Sequence, residues 1–362
     1  MKKIFIIHKS FSLIFLLVTC RRVCCVANRD MDSPDVCVIV VNYNARDHLN
    51  RCISALRLQT YENYEVIIVD NASKDDSLSK LGNLPSNYKI IKNDENLGFA
   101  AANNIAVRNT ESTWIATLNP DAIPDPDWLQ KLVSASVSHP SYISFASVLI
   151  SDKDPSRLDG AGDVYHLSGL VWRGGHGRSI DELPSSGEVF SACSAAALYR
   201  KDIFEEVGGF DEHFFCYIED VDLGFRMRLR GGKCLLVSDS FVRHVGSAIT
   251  GRHSSFTAYH STRNIIWTFS KNVPGPLLIF LIPIHVLALG ALVIFASKNK
   301  VGLSALRGLF DGFKGIAYFW SIRRSIQSQR TVPWWCFLKI INFKPFSPIF
   351  REFDVSTKIG NV

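Results

Sequence analysis

Two short polar segments each follow an apolar run and combine residue types that bind nucleotides or cations. Asp70 ends the run that starts at Glu65, and Asn119-Pro120-Asp121 follows the run at residues 114–118. A carboxylate in such a position accepts hydrogen bonds from a base or a ribose, or ligates Mg²⁺ or Mn²⁺, which prefer oxygen ligands. Taken alone, each segment is equally typical of a turn or a helix cap.

A third segment, residues 208–232, carries three acids within four positions. In a helix Glu219 and Asp222 are i, i+3 neighbours, whereas Asp220 points about 100° away from Glu219. Repulsion and burial both raise the pKa of a carboxyl, which suits a general base. Arg226 lies four residues after Asp222 and is expected to pair with it. The alternative is an ordinary helix start, where acids favour the positive N-terminus. His244 is either a structural histidine or, beside a divalent ion, a ligand.

Several other chemistries are excluded by the motifs that the sequence lacks. It has no GxxxxGK[ST] phosphate-binding loop, and the turn after the first strand, VNYNARDHL, has no GxGxxG. Nicotinamide chemistry is therefore not expected. The sequence also has no GxSxG elbow, no HExxH and no Cys/His spacing typical of zinc.

Composition points to a folded chain that meets a membrane surface. The residues are 47% hydrophobic and 20% charged, which excludes a disordered chain, and the net charge is +6. Basic residues are spread evenly until the C-terminal third, where they gather beside apolar segments. That pattern favours a membrane surface and argues against nucleic acid as a partner. Nine cysteines without a CxxC pair favour free thiols in a reducing compartment.

Strand and helix patterns alternate through the first two thirds of the chain. Predicted strands cover residues 36–41, 65–70, 88–92, 114–118 and 234–237, and predicted helices start near residues 49, 73, 98 and 128. Ser73 is the expected N-cap of the second of these helices. The alternation predicts an α/β fold with a mostly parallel sheet flanked by helices, whose ligands bind beyond the carboxyl ends of the strands.

Three regions are predicted: an N-terminal hydrophobic extension at residues 1–34, an α/β domain at 35–270, and a membrane-associated tail at 271–362. The extension is interpreted, in order of preference, as a wrongly assigned start, a membrane anchor or an export signal. In the tail, residues 277–296 form an uncharged run long enough to span a bilayer. An amphipathic stretch, residues 306–320, and the pair Trp334-Trp335 follow it, as expected at a membrane interface. A hairpin or re-entrant segment at 277–296 would keep the core and the basic tail on one side.

Taken together and in this order, the segments resemble the family 2 glycosyltransferases, especially their rhamnosyltransferase-like bacterial branch. The matching stretches are VVNYNARDHLNRCISALRLQTYENYEVIIVDNASKDDS, NDENLGFAAANNIAVR, LNPDAIPDPDWL, SAAALYRKDIFEEVGGFDEHFFCYIEDVDLGFRMRLRGG and YHSTRN. They cover residues 35 to about 264, nearly two thirds of the chain. The resemblance implies a GT-A fold, a nucleotide-binding α/β domain whose second half forms the acceptor site.

The resemblance also implies roles for the polar residues of the first half. Asn42 and Asn44 would line the nucleotide-sugar pocket, Asp70 would contact the nucleoside, and Asn96 would lie near the nucleotide and the sugar. Asn119-Pro120-Asp121 stands where the family has its DxD metal motif. Asn119 replaces the first acid there and is expected to touch the ribose, while Asp121 remains the expected ligand of Mn²⁺ or Mg²⁺. His244 matches a histidine that reaches the metal or the diphosphate.

In the second half, the resemblance implies that Asp220 is the catalytic base and that Glu219 lies beside it near the acceptor. The expected function is inverting transfer of a sugar, with rhamnose as a candidate, from a nucleotide-diphosphate donor to a lipid-linked or surface-polysaccharide acceptor. The expected location is the cytoplasmic face of the plasma membrane, because sugar nucleotides are a cytosolic pool. The alternative is a non-catalytic, membrane-tethered protein that binds a sugar nucleotide or a glycan on the same fold.

Overall fold

The computed structural model describes residues 34–246, 251 and 254–357. The predicted N-terminal extension, up to residue 33, lies outside the described residues. The strands are β1 (Val36–Asn42), β2 (Tyr64–Asp70), β3 (Tyr88–Lys92), β4 (Trp114–Leu118), β5 (Ala122–Pro124), β6 (Ser144–Ser151), β7 (Leu158–Ala161), β8 (Asp163–Tyr165), β9 (Val171–Arg173), β10 (Gly187–Val189), β11 (Ala196–Arg200) and β12 (Cys234–His244). The helices are α1 (Asp47–Leu56), α2 (Gly98–Val107), α3 (Trp128–Ser138), α4 (Lys201–Glu206), α5 (Glu219–Leu229), α6 (Ser255–Asn272), α7 (Gly275–Lys298), α8 (Gly302–Ser328) and α9 (Ser347–Phe350).

A ten-stranded sheet runs through the core in the order β10-β12-β6-β11-β4-β1-β2-β3, with β5 beside β12 and β7 beside β6. Strands β1 to β4 are parallel, as predicted, and beyond β4 the sheet becomes mixed because β11 runs antiparallel to both of its neighbours. β12 is parallel to β6 and therefore points the same way as β4. The carboxyl ends of β1, β2, β4 and β12 consequently share one edge of the sheet.

Helices cover both faces of this sheet, because its strands are apolar on both sides. Helices α1 and α3 pack on one face, and α2, α4 and α5 pack on the other. Alternate residues of β1 enter the two cores: Val36, Val38 and Val40 on one face, and Cys37, Ile39 and Val41 on the other. The predicted α/β sheet flanked by helices is confirmed.

The helix predicted to start at Ser73 is wrong. Residues 71–78 are turns and bends, and only a 3₁₀ turn, Ser79–Leu81, follows them. The Ser73 hydroxyl accepts hydrogen bonds from Asn42 Nδ2 at 3.1 Å and from the Asn44 amide at 3.0 Å. This side chain therefore joins two loops of the sheet edge, a tertiary role that competes with helix capping.

The C-terminal helices pack against the α/β core as well as against each other. Helix α6 lies along α8, and Gly308 permits the contact because a Cβ there would lie 2.4 Å from the Tyr259 carbonyl oxygen. Beyond α8, Phe337 stacks on Phe225 of α5, with ring centroids 5.1 Å apart. Helix α7 has many exposed apolar side chains, and within the described residues it is the one helix long and apolar enough to cross a membrane. The predicted division at residue 270 stays a prediction.

Candidate active site

A cavity of about 430 Å³ opens at the shared carboxyl edge of the sheet. This volume falls in the range that holds small ligands. Polar lining residues come from both halves of the fold, and they include Asn71, Asn96, Asn119, Asp121, Asp163, Arg173, Ser194, Glu219, Asp220, His244 and Arg351. Aromatic lining residues are Tyr43, Phe99, Trp172, Phe215, Tyr217 and Phe256. The cavity therefore brings together the predicted metal pair and the predicted catalytic pair.

Asp121 and His244 face each other in this cavity. His244 ends β12, and its Nε2 lies 3.2 Å from Asp121 Oδ1 and 3.3 Å from Asn119 Nδ2. Its other ring nitrogen, Nδ1, lies 2.6 Å from Asp159 Oδ2. Asp121 and Asp159 therefore hold the imidazole from its two sides, and Asp159 in turn pairs with Arg173. Such a carboxylate behind a histidine sets which nitrogen faces a ligand.

The charges in this group shift one another's ionisation. Burial opposes protonation of His244, but Asp121 and Asp159 outweigh it and raise the pKa of the imidazole to about 9. Burial likewise disfavours the charged form of Asp159, yet Arg173, His176 and His244 hold the pKa of this carboxyl far below its usual range. The group is thus a compact set of alternating charges with Asp121 at its cavity end.

The ligand atoms that Asp121 and His244 offer fit a hard divalent cation whose remaining ligands are substrate oxygens. Among the described residues, no three or more His, Cys, Asp and Glu side chains are grouped to hold a metal by themselves. Mg²⁺ and Mn²⁺ commonly use one or two carboxylates together with substrate phosphates. One carboxylate and one oriented imidazole at the cavity wall meet that requirement, provided that the cation displaces the proton that Asp121 and Asp159 favour on His244.

Asn42 and Asp70, predicted to contact the donor, hydrogen-bond to each other. Asn42 is fully buried, and its Nδ2 donates to Asp70 Oδ1 at 2.7 Å and to the Ser77 hydroxyl at 2.9 Å. The second oxygen of Asp70 accepts the Ser73 amide at 3.2 Å. The bonds lock the first two strand ends in register, and their predicted nucleotide contacts stay predictions.

Asn44 and Asn96 shape two loops at the same edge. Asn44 has a left-handed backbone, φ 52°, and its Oδ1 accepts the Lys74 amide at 2.8 Å. Asparagine tolerates this conformation better than most residues. Asn96 lines the cavity, and its Oδ1 accepts the Gly98 amide at 3.0 Å, at the start of α2. Residues 42, 44, 70 and 96 were predicted to contact the sugar-nucleotide donor. Of these four, Asn96 is the one that borders the cavity.

Asp220 lies at the N-terminus of α5 with its carboxylate held by two backbone amides. Oδ2 accepts the Ser194 amide at 3.0 Å, and Oδ1 accepts the Val221 amide at 2.8 Å. Burial nevertheless outweighs these bonds and raises the pKa of Asp220. A fixed carboxylate with a raised pKa is a better proton acceptor near neutral pH than an ordinary aspartate.

Two further acids border Asp220. Glu219 is buried, and its Oε2 has no hydrogen-bond partner among the described residues. Asp163, at the start of β8, accepts the Ser191 hydroxyl at 2.9 Å. Burial and the charge of Asp220 raise the pKa of both carboxyls well above their usual range. Repulsion between negative charges thus favours a state in which only one of the three carboxyl groups, those of Asp163, Glu219 and Asp220, is ionised.

The loop that leads into Glu219 and Asp220 is strained and clamped. Phe215, Tyr217 and Ile218 all have left-handed backbone, with φ of 65°, 68° and 70°. Asn264 of α6 is fully buried and donates from Nδ2 to the carbonyls of residues 214, 216 and 217 at 3.1, 2.9 and 2.7 Å. Gly98 lets α2 approach the loop, because a Cβ there would lie 2.5 Å from the Phe215 ring.

The sequence reasoning missed Asp159, Asp163 and Arg173, which complete both charged groups. A signal was present in Leu158-Asp-Gly-Ala-Gly-Asp163, where two acids flank small residues. Asp159 and Asp163 lie on the consecutive strands β7 and β8, which bring one acid to His244 and the other to Asp220.

Residues 37–208 match the family model for glycosyl transferase family 2. This part of the chain is a family 2 glycosyltransferase domain. This glycosyltransferase is 28% identical over 253 residues to an N-acetylglucosaminyl-diphospho-decaprenol L-rhamnosyltransferase of Mycobacterium tuberculosis, which covers 63% of this chain and 82% of that protein. It is 26% identical over 216 residues to an O-antigen chain rhamnosyltransferase of Salmonella anatum, covering 58% of this chain and 66% of that protein. The predicted rhamnosyltransferase-like membership is confirmed.

Among solved structures, the glycosyltransferase is similar to a mannosyltransferase from Pyrobaculum calidifontis in complex with GDP-Man and Mn²⁺. The TM-score is 0.51 at 17% identity, and the match covers 88% of this chain and 92% of that one. This likeness confirms the GT-A fold. The roles of the individual site residues in this glycosyltransferase stay predictions.

Proposed function

We propose that this glycosyltransferase moves a sugar, with rhamnose as the first candidate, from a nucleoside-diphosphate donor to a lipid-linked glycan, with inversion and with Mn²⁺ or Mg²⁺. The observation that carries the proposal is one cavity lined by both Asp121–His244 and Glu219–Asp220. The relatives named as rhamnosyltransferases, one of them for a diphospho-decaprenol acceptor, support the sugar and the acceptor class.

Asp121 and His244 would hold the cation against the donor diphosphate. A bound divalent cation neutralises the charge that builds on a leaving nucleoside diphosphate. Asp159 keeps Nδ1 of His244 engaged, so that Nε2 is the nitrogen presented to the cavity. Asn119, within 3.3 Å of the same Nε2, is close enough to contact the ribose or a phosphate of the donor.

Asp220 would remove the proton from the acceptor hydroxyl as its oxygen attacks the anomeric carbon. The two amides on this carboxylate fix its orientation, and its raised pKa improves it as a base. Glu219, buried beside it with an unpartnered oxygen, is placed to hydrogen-bond the acceptor. One base and one displacement invert the anomeric centre, whereas retention needs an enzymic nucleophile on the opposite face.

The test is a donor panel of UDP-, dTDP- and GDP-sugars with Mn²⁺ and a membrane lipid extract. We expect metal-dependent nucleoside diphosphate release from one donor. Asp220→Asn should lower transfer by about 10²- to 10⁴-fold, the range for losing a general base, with nucleotide binding retained. The exposed Asp181→Asn is the matched control. Sugar transfer by Asp220→Asn at a rate near that of the wild type would contradict the assignment of Asp220 as the base. Nucleotide binding without release from any donor would favour the non-catalytic alternative.

The cation assignment has its own test. Asp121→Ala should weaken nucleoside diphosphate binding in the presence of Mn²⁺ and leave the weaker metal-free binding unchanged. The partly exposed Asp127→Ala, six residues away, serves as its control. Identical titrations of Asp121→Ala and the wild type, with and without Mn²⁺, would contradict the role.

The proposed location is the cytoplasmic face of the plasma membrane. Exposed apolar side chains along α7, with Phe280 76% and Leu287 75% accessible, support insertion into lipid. Helix α8 packs along α6, and Phe337 packs on α5, so the basic tail contacts the core. That packing supports a re-entrant or interfacial α7 rather than a span that separates them.

Vesicle flotation tests the membrane proposal. Leu287→Glu should reduce flotation with vesicles that contain anionic phospholipid, because it places a charge on the apolar surface of α7. Leu58→Glu changes a residue of similar exposure (67%) in the catalytic core and should float like the wild type. Equal flotation of the two variants would refute α7 as the membrane contact.

A further inference from the structure

The segment at residues 342–356, called here the return segment, runs from the membrane-associated tail back to the active-site cavity. The Asn342 amide donates to the Tyr165 carbonyl at 2.8 Å, which ties its start to β8. Its end pairs with β10, since the amide of Ser356 donates to the Glu188 carbonyl at 2.9 Å. The segment is thus part of the folded core at both ends.

The middle of the return segment forms part of the cavity wall. Arg351 lines the cavity beside Trp172 and Arg173 of β9. Two hydrogen bonds hold it there: the Trp172 indole donates to the Glu352 carbonyl at 2.9 Å, and the Gly175 amide donates to the Arg351 carbonyl at 2.8 Å. The backbone of Arg351 is left-handed, with φ 47°, which places this residue at a sharp turn after α9.

The residues just before Arg351 present an apolar surface to the outside. Phe346, Ile349 and Phe350 are 66%, 72% and 60% exposed. From residue 346 to residue 351 the chain reaches at most about 17 Å, so the apolar surface and the cavity wall are close neighbours. Lys344 lies at the same place, with its side chain 70% exposed and its ammonium group paired with Glu352 Oε2 at 3.3 Å. Exposed aromatic and aliphatic side chains beside basic ones are typical of a lipid interface.

We propose that the return segment is the docking arm for an isoprenoid diphosphate acceptor. Arg351 binds the diphosphate of the acceptor at the cavity wall, and Phe346, Ile349 and Phe350 lie among the lipid chains. Arginine suits this role because its planar fork pairs with phosphate oxygens through two hydrogen bonds. The inference rests on the proposed function, since it assumes that the acceptor is carried on a lipid.

A diphosphate is present in both substrates, so the experiment separates the donor from the acceptor. Binding of the full-length protein is measured to phosphatidylcholine vesicles that contain either decaprenyl diphosphate or uncharged decaprenol. Binding of UDP, dTDP and GDP with Mn²⁺ is measured separately. We expect the wild type to prefer decaprenyl diphosphate vesicles by about tenfold, the effect of one charge-assisted contact pair.

Arg351→Gln should abolish that preference while nucleoside diphosphate binding and the melting temperature stay unchanged. Arg351→Lys should retain part of the preference for decaprenyl diphosphate vesicles, because lysine keeps the positive charge but lacks the planar guanidinium that makes two parallel hydrogen bonds. Ile349→Ser should weaken binding to both kinds of vesicle equally. Arg178→Gln is the matched control, because Arg178 lies over the Phe353 ring of the same segment and pairs with Glu182.

Two results would overturn the inference. One is Arg351→Gln binding both vesicle types like the wild type, and the other is its losing nucleoside diphosphate affinity instead. Both readouts are independent of turnover, so they separate this inference from the proposed function. An Arg351-dependent preference without sugar transfer from any donor would retain the docking arm and reject the transfer reaction as proposed.

Discussion

Replacing Asn264 by leucine removes the clamp from the loop that leads into α5, the helix that carries Glu219 and Asp220. The side chain keeps a similar volume but loses the amide that donates to three carbonyls. The Phe214 carbonyl retains the Arg263 guanidinium at 2.9 Å as a donor, so the loss falls on residues 216 and 217. Because this loop holds three non-glycine residues in left-handed conformations, we expect it to relax once the donor is gone.

The magnitude follows from two partly buried carbonyls, those of residues 216 and 217, which lose this donor. A buried polar group that loses its partner costs about 1–3 kcal/mol, so for two partly buried groups the lower part of that range applies, and the clamped conformation is destabilised by about 2–3 kcal/mol. At 1.36 kcal/mol per tenfold change, the clamped loop becomes about 10²-fold less populated relative to relaxed loops. If Asp220 works only from the clamped loop, kcat falls by the same factor, whereas nucleotide binding on the opposite side of the cavity persists.

The assay compares kcat, the KM for the donor, the Kd for nucleoside diphosphate and the melting temperature. Asn104→Leu is the matched control, since Asn104 is also a buried amide and donates to the Phe210 carbonyl at 2.8 Å and to Glu212 at 3.0 Å. We expect both variants to lose thermal stability but only Asn264→Leu to lose kcat by about 10²-fold. Equal losses of kcat in the two variants, or an Asn264→Leu variant within about threefold of wild type, would refute the clamp.

Three further outcomes are expected. Asp159→Asn should weaken Mn²⁺-dependent nucleotide binding by about 10- to 100-fold in calorimetric titrations, since it releases Nδ1 of His244, and unchanged binding would contradict the orienting role. As the pH is lowered, kcat/KM should begin to fall at a pH above the ordinary aspartate pKa, because burial raises the pKa of Asp220 and the base works only when it is deprotonated. A fall that begins only at about pH 4 or below would contradict this prediction. Burial and the nearby Arg263 lower the pKa of His260 to about 4, so the unfolded chain binds more protons between pH 4 and 6.5 and stability falls as the pH drops through that window. Thermal melts at pH 7.5 and 5 should show a smaller decrease for His260→Gln than for the wild type, and equal decreases would argue against this cause.

Hydrophobic periodicity predicted the parallel strands and most helices of the first half of the domain. There the conformation that the local sequence favours is also the one that the packing of the fold requires. Leu49, Cys52, Ile53 and Leu56 recur at the i, i+3, i+4, i+7 spacing of a helix, in agreement with the helix predicted near residue 49, and all four side chains of α1 are buried. The charged pair Asp222–Arg226 also forms, at 2.9 Å, because its spacing on a helix is a local property. The helix at Ser73 was wrong because the hydroxyl binds Asn42 and Asn44, which the sequence places about 30 residues away.

The short strands in the second half of the catalytic domain, two of which form a separate two-stranded sheet, carried weaker signals. Strands β7 to β10 are three or four residues long, too short for a hydrophobic period to stand out. Their residues Asp159 and Asp163 therefore escaped notice as members of the site. Asp159 lies at the irregularity where the register of β7 on β6 shifts, and Asp163 lies opposite Arg173 in the β8–β9 pair. Pairing between strands is invisible in a local pattern.

The sequence alone determined the chemical types at the site and the edge of the sheet on which they meet. Asp70 ends β2, Asp121 lies three residues after the end of β4, and His244 ends β12. Strands that run parallel necessarily share the edge of their carboxyl ends. Only the tertiary structure decided what those side chains do for one another. Asp159 orients His244, Asn264 clamps the loop before Asp220, and the return segment brings Arg351 into the cavity. Each of these contacts joins residues more than 40 positions apart, where no spacing rule applies and only the packing of the folded chain selects the partner.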